Sequence, residues 1–517
     1  MRAAGIISTG RINMLDDILD ELYYCDESDT DGIISLKHAN LSMLCDFYEL
    51  TMGSGYFENG FKDKICYFDL FYRNPPDNGG FVIACGLESV VDYILNLRFD
   101  DDDISYLRGK RLFSEEFLDY LRDFHFTGDI WAVPEGTVVF PNVPILTVKA
   151  PAIEAQLIET YLLLAINHQS LIATKTSRIV RAAGGRAVSE FGARRAHGVS
   201  AAVLGARAAY IAGASGSSCT LSDQLFGVPA SGTMAHSWVQ LFPSELDAFR
   251  CYCKTFPDGV TLLVDTYNVL KSGVPNAIRA FDEVLKPCGK RPFAIRLDSG
   301  DIAYLSKKAR KMLDDAGYTD CRIIASNSLD EYLIKDMLMQ GARVDLFGVG
   351  ERLITSKSSA VLDGVYKLVA VEENGRAVPR IKLSENVQKI TNPHFKRVYR
   401  LYDNKSGKAV ADYLCLREER VDSSKPLEIF DPSFTWKRQT LTDYTAKEML
   451  LPVFIGGRLV TSLPELEDIR KHCQRELSTM WDSVLRFENP HEHYVDLSKR
   501  LWDIKQELLL RHSEGGL

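Results

Sequence analysis

Residues 293–318, FAIRLDSGDIAYLSKKARKMLDDAGY, pass from a short apolar run through the polar turn RLDSGD into a segment with apolar residues at three- and four-residue spacing. A buried strand followed by an amphipathic helix fits this pattern, and the glycine at 317 marks the stop. The same unit recurs on both sides. AVSEF (187–191) leads into HGVSAAVLGARAAYIAG (197–213), VTLLVDT (260–266) into NAIRAFDEVLK (276–286), and RIIASNS (322–328) into DEYLIKDMLMQG (330–341). VDLFGVG (344–350) closes the series. Successive βα units wind into a parallel sheet or close into a barrel, and in barrels chemistry gathers at the carboxyl ends of the strands. Glu190, Asp265, Asp298, Asn327 and Gly348 all stand at such ends.

Outward from this relay the texture changes. KICYFDLFYR (64–73) reads as a strand and VPEGTVVFPNVPILTVKAP (133–151) as strand, Pro/Gly turn, strand. On the far side VYRLYDNKSGKAVADYLCL (398–416) reads as a hairpin and residues 463–481 as a helix. The expected fold is α/β: an irregular (β/α) barrel over 166–385, flanked by an α+β sandwich domain built from residues 36–165 and 386–517. Residues 1–35, with a possible helix MLDDILDELYY and an acidic turn CDESDTDG, read as an appendage.

Composition narrows the class. The chain has 517 residues, 46% hydrophobic and 25% charged, which is ordinary globular usage. Lys and Arg number 61 against 70 Asp and Glu, a net charge of -9, so the basic footprint of a nucleic-acid binder is missing. Any anionic ligand must be held by local Arg or Lys. The eleven cysteines are scattered, without zinc or redox CxxC spacing, which points to reduced thiols and a cytoplasmic home. No run of 18 apolar residues and no signal-type apolar region occurs, so neither a membrane span nor export is expected.

Several stretches can carry chemistry. FGARRAHG (191–198) sets Arg194 and Arg195 side by side at a strand exit, either as bidentate anion ligands or as a solvated pair. GASGSSCTLSDQLFG (213–227) is a Gly/Ser loop entering a helical pattern, which suits an anion cradle or a tight turn. RLDSGD (296–301) puts Arg296 and Asp298 on one face of a strand, as an anion clamp beside a carboxylate or as a buried ion pair, with Asp301 as the following N-cap. In GVGERLITS (348–356) two glycines let backbone amides approach a phosphate. His491 and His493 lack partners at metal-ligand spacing and read as surface loop residues. SGTMAHSW (231–238) leaves one histidine, His236, in a run with no apolar period.

In order, LSMLCDFYELTMGSGYF (41–57), FDLFYRNPP (68–76), FGARRAHG, GASGSS, SGTMAHSW, RLDSGD and GVGERLITSKSSAVLDGVYKLV (348–369) resemble the nicotinate phosphoribosyltransferases, of the type II phosphoribosyltransferase group. The resemblance implies an enzyme joining nicotinate to 5-phosphoribosyl 1-diphosphate, giving nicotinate mononucleotide and diphosphate with ATP hydrolysis and Mg2+, at the salvage entry to NAD. It implies that His236 is the histidine that ATP phosphorylates. Nicotinate would meet Tyr48, Phe191, Thr233, Arg296 and Ser218, with Tyr48 supplied across a homodimer interface. Phosphoribosyl diphosphate would meet Arg194, Asp298, Asn327, Gly348, Gly350 and Ser356. The chain departs from the pattern at Glu351, where relatives carry a threonine, and at GSSC, where GTSN is commoner. Metal ligands are not specified.

Three rivals bear on this reading. Nicotinamide phosphoribosyltransferases resemble the chain in fold but place an aspartate where Ser218 stands, which favours the acid over the amide here. Quinolinate phosphoribosyltransferases are much shorter and lack the histidine segment. A non-catalytic ligand-binding homologue would have no reason to keep His236, Arg194, Arg296 and Asp298 together.

Overall fold

A computed structural model describes residues 41–384 and 389–514, so the expected appendage at 1–35 lies outside the described residues. The relay folds as a five-stranded parallel sheet in the order Ala187–Glu190, Leu346–Val349, Arg322–Ala325, Ala294–Leu297, Thr261–Leu263. Its registers pair Glu190 with Val349, Leu297 with Ala325 and Leu263 with Arg296, so the polar residues that end each strand emerge along one edge. Val188, Ile295, Leu297, Ile323, Phe347 and Val349 are all buried. Strands covered on both faces read as continuous apolar runs rather than alternating ones, which is why the relay is visible in sequence.

The connecting helices span Val199–Ile211, Val274–Ala280, Ile302–Asp315 and Glu331–Met339. Asp301 is the N-cap expected of it, accepting from the Tyr304 amide at 3.0 Å. NAIRAFDEVLK departs from a simple helix: π turns at Val269–Gly273 and Phe281–Leu285 flank its α segment, a local winding that apolar spacing does not reveal.

Closure into a barrel is not made by strand ladders among the described residues. Beyond the Ala187–Glu190 edge the pairing continues only as single bridges, Glu190 to Ser217 and Ser217 to Ala230, and no ladder reaches Thr261–Leu263. The segment GVPASGT (227–233) explains the gap, since Gly and Pro weaken strands and Pro229 has no N–H to donate. The architecture is a mixed α/β fold with a parallel sheet.

A seven-stranded antiparallel sheet lies beside it, in the order Arg376–Pro379, Gly364–Glu373, Ile65–Tyr72, Leu146–Pro151, Asp129–Ala132, Leu451–Ile455, Arg458–Leu459. Strands far apart in sequence therefore share one core, in which Leu70, Ile130, Val148 and Phe454 are fully buried. The helix Glu159–Ala182 packs between this sheet and helix Val199–Ile211. Its buried Lys175 and Arg178 meet Glu331 at 2.9 and 2.8 Å, and Lys175 meets Asp77 at 3.1 Å, tying the two sheets' surroundings together.

The hairpin expected at 398–416 forms as Lys396–Asp403 and Ala409–Leu416 within a four-stranded sheet. Helix Leu466–Thr479 packs nearby, and buried Arg400 holds Asp412 bidentately at 2.7 and 2.8 Å and Glu476 at 2.8 Å. His493 corrects the surface expectation: its side chain is 3% exposed, stacked on Phe140 at 3.9 Å and 3.5 Å from Asp412. The Asp412 carboxylate and the aromatic face together make a buried place for an imidazole that local sequence cannot show. No group of three or more His, Cys, Asp or Glu suited to a metal ion occurs among the described residues. No helix among them is long and apolar enough to cross a membrane.

Candidate active site

Arg296 leaves the last turn of strand Ala294–Leu297 with its side chain 14% exposed. Its guanidinium donates to the Thr233 hydroxyl and, at 3.3 Å, to the Met234 carbonyl, and its Nη2 lies 3.5 Å from Asp298 Oδ1. The Nε atom is buried and has no hydrogen-bond partner. Burial lowers the pKa of this guanidinium, Asp298 and Asp265 oppose that, and Arg194 adds to it. A desolvated cation with an unused N–H, near a second arginine, is suited to receive an anion.

His236 opens the short helix His236–Leu241, too brief to show an apolar period in sequence. Its Nδ1 meets Thr266 Oγ1 at 3.1 Å and its Nε2 lies 3.9 Å from Asp298 Oδ2, with the side chain 40% exposed. Asp298 also accepts from the Ser326 hydroxyl. Asp265 holds this arrangement from below: one carboxylate oxygen accepts from the Asp298 amide at 2.9 Å and the Ser299 hydroxyl at 2.6 Å, and the other is buried without a partner. Thr266 and Ser326 were not foreseen as site residues. Ser326 directly follows strand Arg322–Ala325 and Thr266 directly follows Asp265, so the strand-end rule that marks Asp265 and Asn327 reaches them too.

Glu190, at the end of strand Ala187–Glu190, is fully buried. Burial raises its carboxyl pKa against the pull of Ser217 Oγ, at 2.6 Å, and of the Gly192 amide. The Glu190 carbonyl accepts from the Ser218 amide at 2.9 Å, leaving Ser218 itself exposed at the rim of the Gly/Ser loop.

Phe191 sits against Gly348. A Cβ added at Gly348 would come within 2.4 Å of Phe191 Cδ2, and one at Gly350 within 3.0 Å of the Phe191 carbonyl oxygen. The first glycine therefore makes room for the ring. Gly348→Ala is expected to push Phe191 aside and to cost about 1–3 kcal/mol of stability, the usual range for overpacking. An unchanged urea midpoint for that variant would contradict this account.

Other expected residues stand differently. Asn327 is exposed with a left-handed φ of 81°, held at the strand exit. Arg194 is exposed, its side chain without a hydrogen bond or ion pair among the described residues. Ser356 is buried, and its hydroxyl donates to the Ser359 carbonyl at 2.8 Å, so the proton a phosphate would need is already used. Glu351 pairs with Lys357 at 2.7 Å. Tyr48, on helix Phe47–Glu58, is exposed; partial desolvation and nearby Glu159 and Glu49 raise its pKa, and among the described residues it makes no hydrogen bond or ring pairing with Phe191 or Arg296 within the chain.

At the carboxyl ends of the parallel strands this α/β fold brings together a partly desolvated guanidinium, an accessible imidazole and two carboxylates. Family models described as the nicotinate phosphoribosyltransferase N-terminal domain, family and C-terminal domain match residues 43–167, 186–399 and 395–505. The chain belongs to the nicotinate phosphoribosyltransferase family. It is 44% identical over 473 residues to the nicotinate phosphoribosyltransferase of Bacillus subtilis, covering 91% of this chain and 96% of that one. It is 31% identical over 517 residues to the Homo sapiens nicotinate phosphoribosyltransferase, covering 89% and 95%. The crystal structure of human nicotinic acid phosphoribosyltransferase superposes with a TM-score of 0.79 at 29% identity, over 90% of this chain and 100% of that one. The nicotinate-nucleotide pyrophosphorylase structure from Pyrococcus furiosus, at 22% identity and a TM-score of 0.67, shares the fold.

Proposed function

We propose that the protein is a nicotinate phosphoribosyltransferase that makes nicotinate mononucleotide and diphosphate from nicotinate and 5-phosphoribosyl 1-diphosphate, with ATP hydrolysis, in the cytoplasmic salvage route to NAD. The observation that carries it is Arg296: a largely desolvated guanidinium with a buried, unpartnered Nε, beside Thr233, fits the carboxylate of a small aromatic acid. Phe191 supplies one flat face for the pyridine ring, and Tyr48 of a second copy supplies the other in a homodimer. The relay sheet and its bridges through Ser217 and Ala230 are read as the wall of an irregular (β/α) barrel over 166–385, with 36–165 and 386–517 packed against it.

Arg194 attracts the phosphates, Asp298 lies by the ribose, and the amides of Gly348 and Gly350 with Asn327 receive the 5'-phosphate. Ser356 enters through its backbone only. The C1' bond to diphosphate breaks ahead of attack, and the pyridine nitrogen captures the cationic carbon, so the residues act by position and charge. Magnesium bound with diphosphate needs only one or two carboxylates, and the unpartnered Asp265 oxygen and Asp298 fit that demand. When bound, the ion offsets charge on the leaving group.

His236 takes the γ-phosphoryl group. Donation of its Nδ1–H to Thr266 leaves the Nε2 lone pair to attack phosphorus; the bond to the bridging oxygen breaks and ADP leaves. Water later cleaves the P–N bond, returning imidazole and inorganic phosphate.

The test is diphosphate release and nucleotide formation from the two substrates, with and without ATP. Arg296→Ala should lower kcat/KM for nicotinate roughly a hundredfold, from loss of about 3 kcal/mol of charge-assisted bonding. Unchanged kinetics would remove Arg296 from the site.

A further inference from the structure

Away from the parallel sheet, a cleft of ≈ 390 Å³ opens between the strand ends of the four-stranded sheet near Tyr402 and helix Leu466–Thr479, lined among others by Thr445, Lys447, His472 and Arg475. Its two acidic residues are already engaged. Glu476 pairs with buried Arg400 at 2.8 Å, and Asp403 accepts from the Ser406 amide and hydroxyl at 2.9 and 2.6 Å. The polar neighbours close on one another as well: Asn404 donates to Asp443 at 2.8 Å and accepts from Thr445 at 2.7 Å. Lys447 and Arg475, by contrast, make no side-chain hydrogen bond or ion pair among the described residues. Both act on His472, whose pKa burial and these cations lower while Glu476 opposes them, so the two charges lie close to the same wall. Lys447 and Arg475 are thus two exposed cations without a counter-ion of their own on a concave polar surface that also carries the Asp403 carboxylate.

We propose that this cleft is a second binding site, for a phosphate-bearing small anion, and that its occupancy acts on the Gly/Ser loop of the active site. Lys447 and Arg475 are the cations that hold the phosphate, and a volume in the range of small-molecule pockets leaves room for more than one phosphate. The coupling runs along one helix. Leu466–Thr479 lines the cleft with His472, Arg475 and Thr479, while Arg470 on the same helix donates to the carbonyls of Tyr210, Gly213 and Ala214. Those carbonyls end helix Val199–Ile211 and begin the GASGSS stretch that carries Ser217 and Ser218. Glu467 adds a bond from the Tyr210 hydroxyl at 3.0 Å. A ligand that draws Arg475 toward the cleft thus pulls on the rod that caps the loop.

Hydrogen–deuterium exchange on the full chain, with inorganic phosphate in one arm and ATP in the other, tests this. Slowed exchange at 402–407 and 471–479 is expected in at least one arm, together with slowed exchange at 213–218 that the Lys447→Ala, Arg475→Ala double variant loses. Phosphate acting alone identifies the free ion as sufficient; ATP acting alone identifies a nucleotide as the source of the phosphate. Both cations are exposed, so the Lys447→Ala, Arg475→Ala double variant should fold and keep its basal nucleotide synthesis, and Arg475→Gln alone serves as the milder form. Each lost cation should weaken the half-saturating concentration for cleft protection roughly tenfold, while protection at 231–241 stays as in the parent. No protection of 402–407 and 471–479 by either probe, or equal protection in the double variant, overturns the site. Protection of the cleft with no change at 213–218 overturns the coupling.

Discussion

Ser218→Asp is expected to weaken nicotinate binding by nearly a thousandfold and to move preference toward nicotinamide. Ser218 lies at the exposed rim of the Gly/Ser loop, its amide fixed to the Glu190 carbonyl at 2.9 Å, so a change of side chain leaves the loop backbone held. A serine hydroxyl can donate to a carboxylate. An aspartate about 4 Å from a bound carboxylate costs roughly 4 kcal/mol at an effective dielectric of about 20, whereas it can accept from a carboxamide. Steady-state KM values for the acid and the amide, measured on parent and variant, check both halves. If the variant binds nicotinate as the parent does, Ser218 does not face the carboxylate, and selectivity for the acid rests on Arg296 and Thr233 alone.

The parallel sheet was legible because strands buried on both faces appear as apolar runs, and because a polar residue must follow where the chain leaves the core. That rule puts Asp265, Asp298 and Glu190 at strand ends, and the sheet brings those ends to one edge. It could not show that Asp265 props Asp298 through its amide, or that Thr266 meets the His236 ring, because both contacts join different βα units. The antiparallel sheet was less legible. Its interior strand Ile65–Tyr72 pairs with Gly364–Glu373, and no local pattern names a partner some three hundred residues away. Two expectations changed meaning at the level of packing. Gly348 reads as room for a phosphate, and on its Cβ side it also makes room for the Phe191 ring. His493 was read as solvated, and Asp412 with Phe140 encloses it. In each case the deciding neighbour is remote in sequence.

His236→Ala is expected to abolish ATP-stimulated turnover while leaving slow, ATP-independent nucleotide synthesis. The substitution deletes the imidazole whose Nδ1 meets Thr266, the proposed phosphoryl acceptor, but it leaves Arg296 with Thr233 and Phe191 against Gly348 in place. Coupling and capture are therefore separable. On the proposed reading, a phosphorylated imidazole would add close to two negative charges beside Asp298 and so change how diphosphate is held. Without it, the two substrates would react at their unassisted equilibrium. Labelling with γ-phosphate ATP should give an acid-labile, base-stable phosphoramidate on His236 in the parent and none in the variant. His236→Asn, which keeps polarity and approximate size, should match the alanine variant in losing the label. ATP-stimulated activity retained in full by either variant would sink the phosphoryl-acceptor role, and residual synthesis falling to zero in both would mean that His236 serves the ribosyl transfer itself.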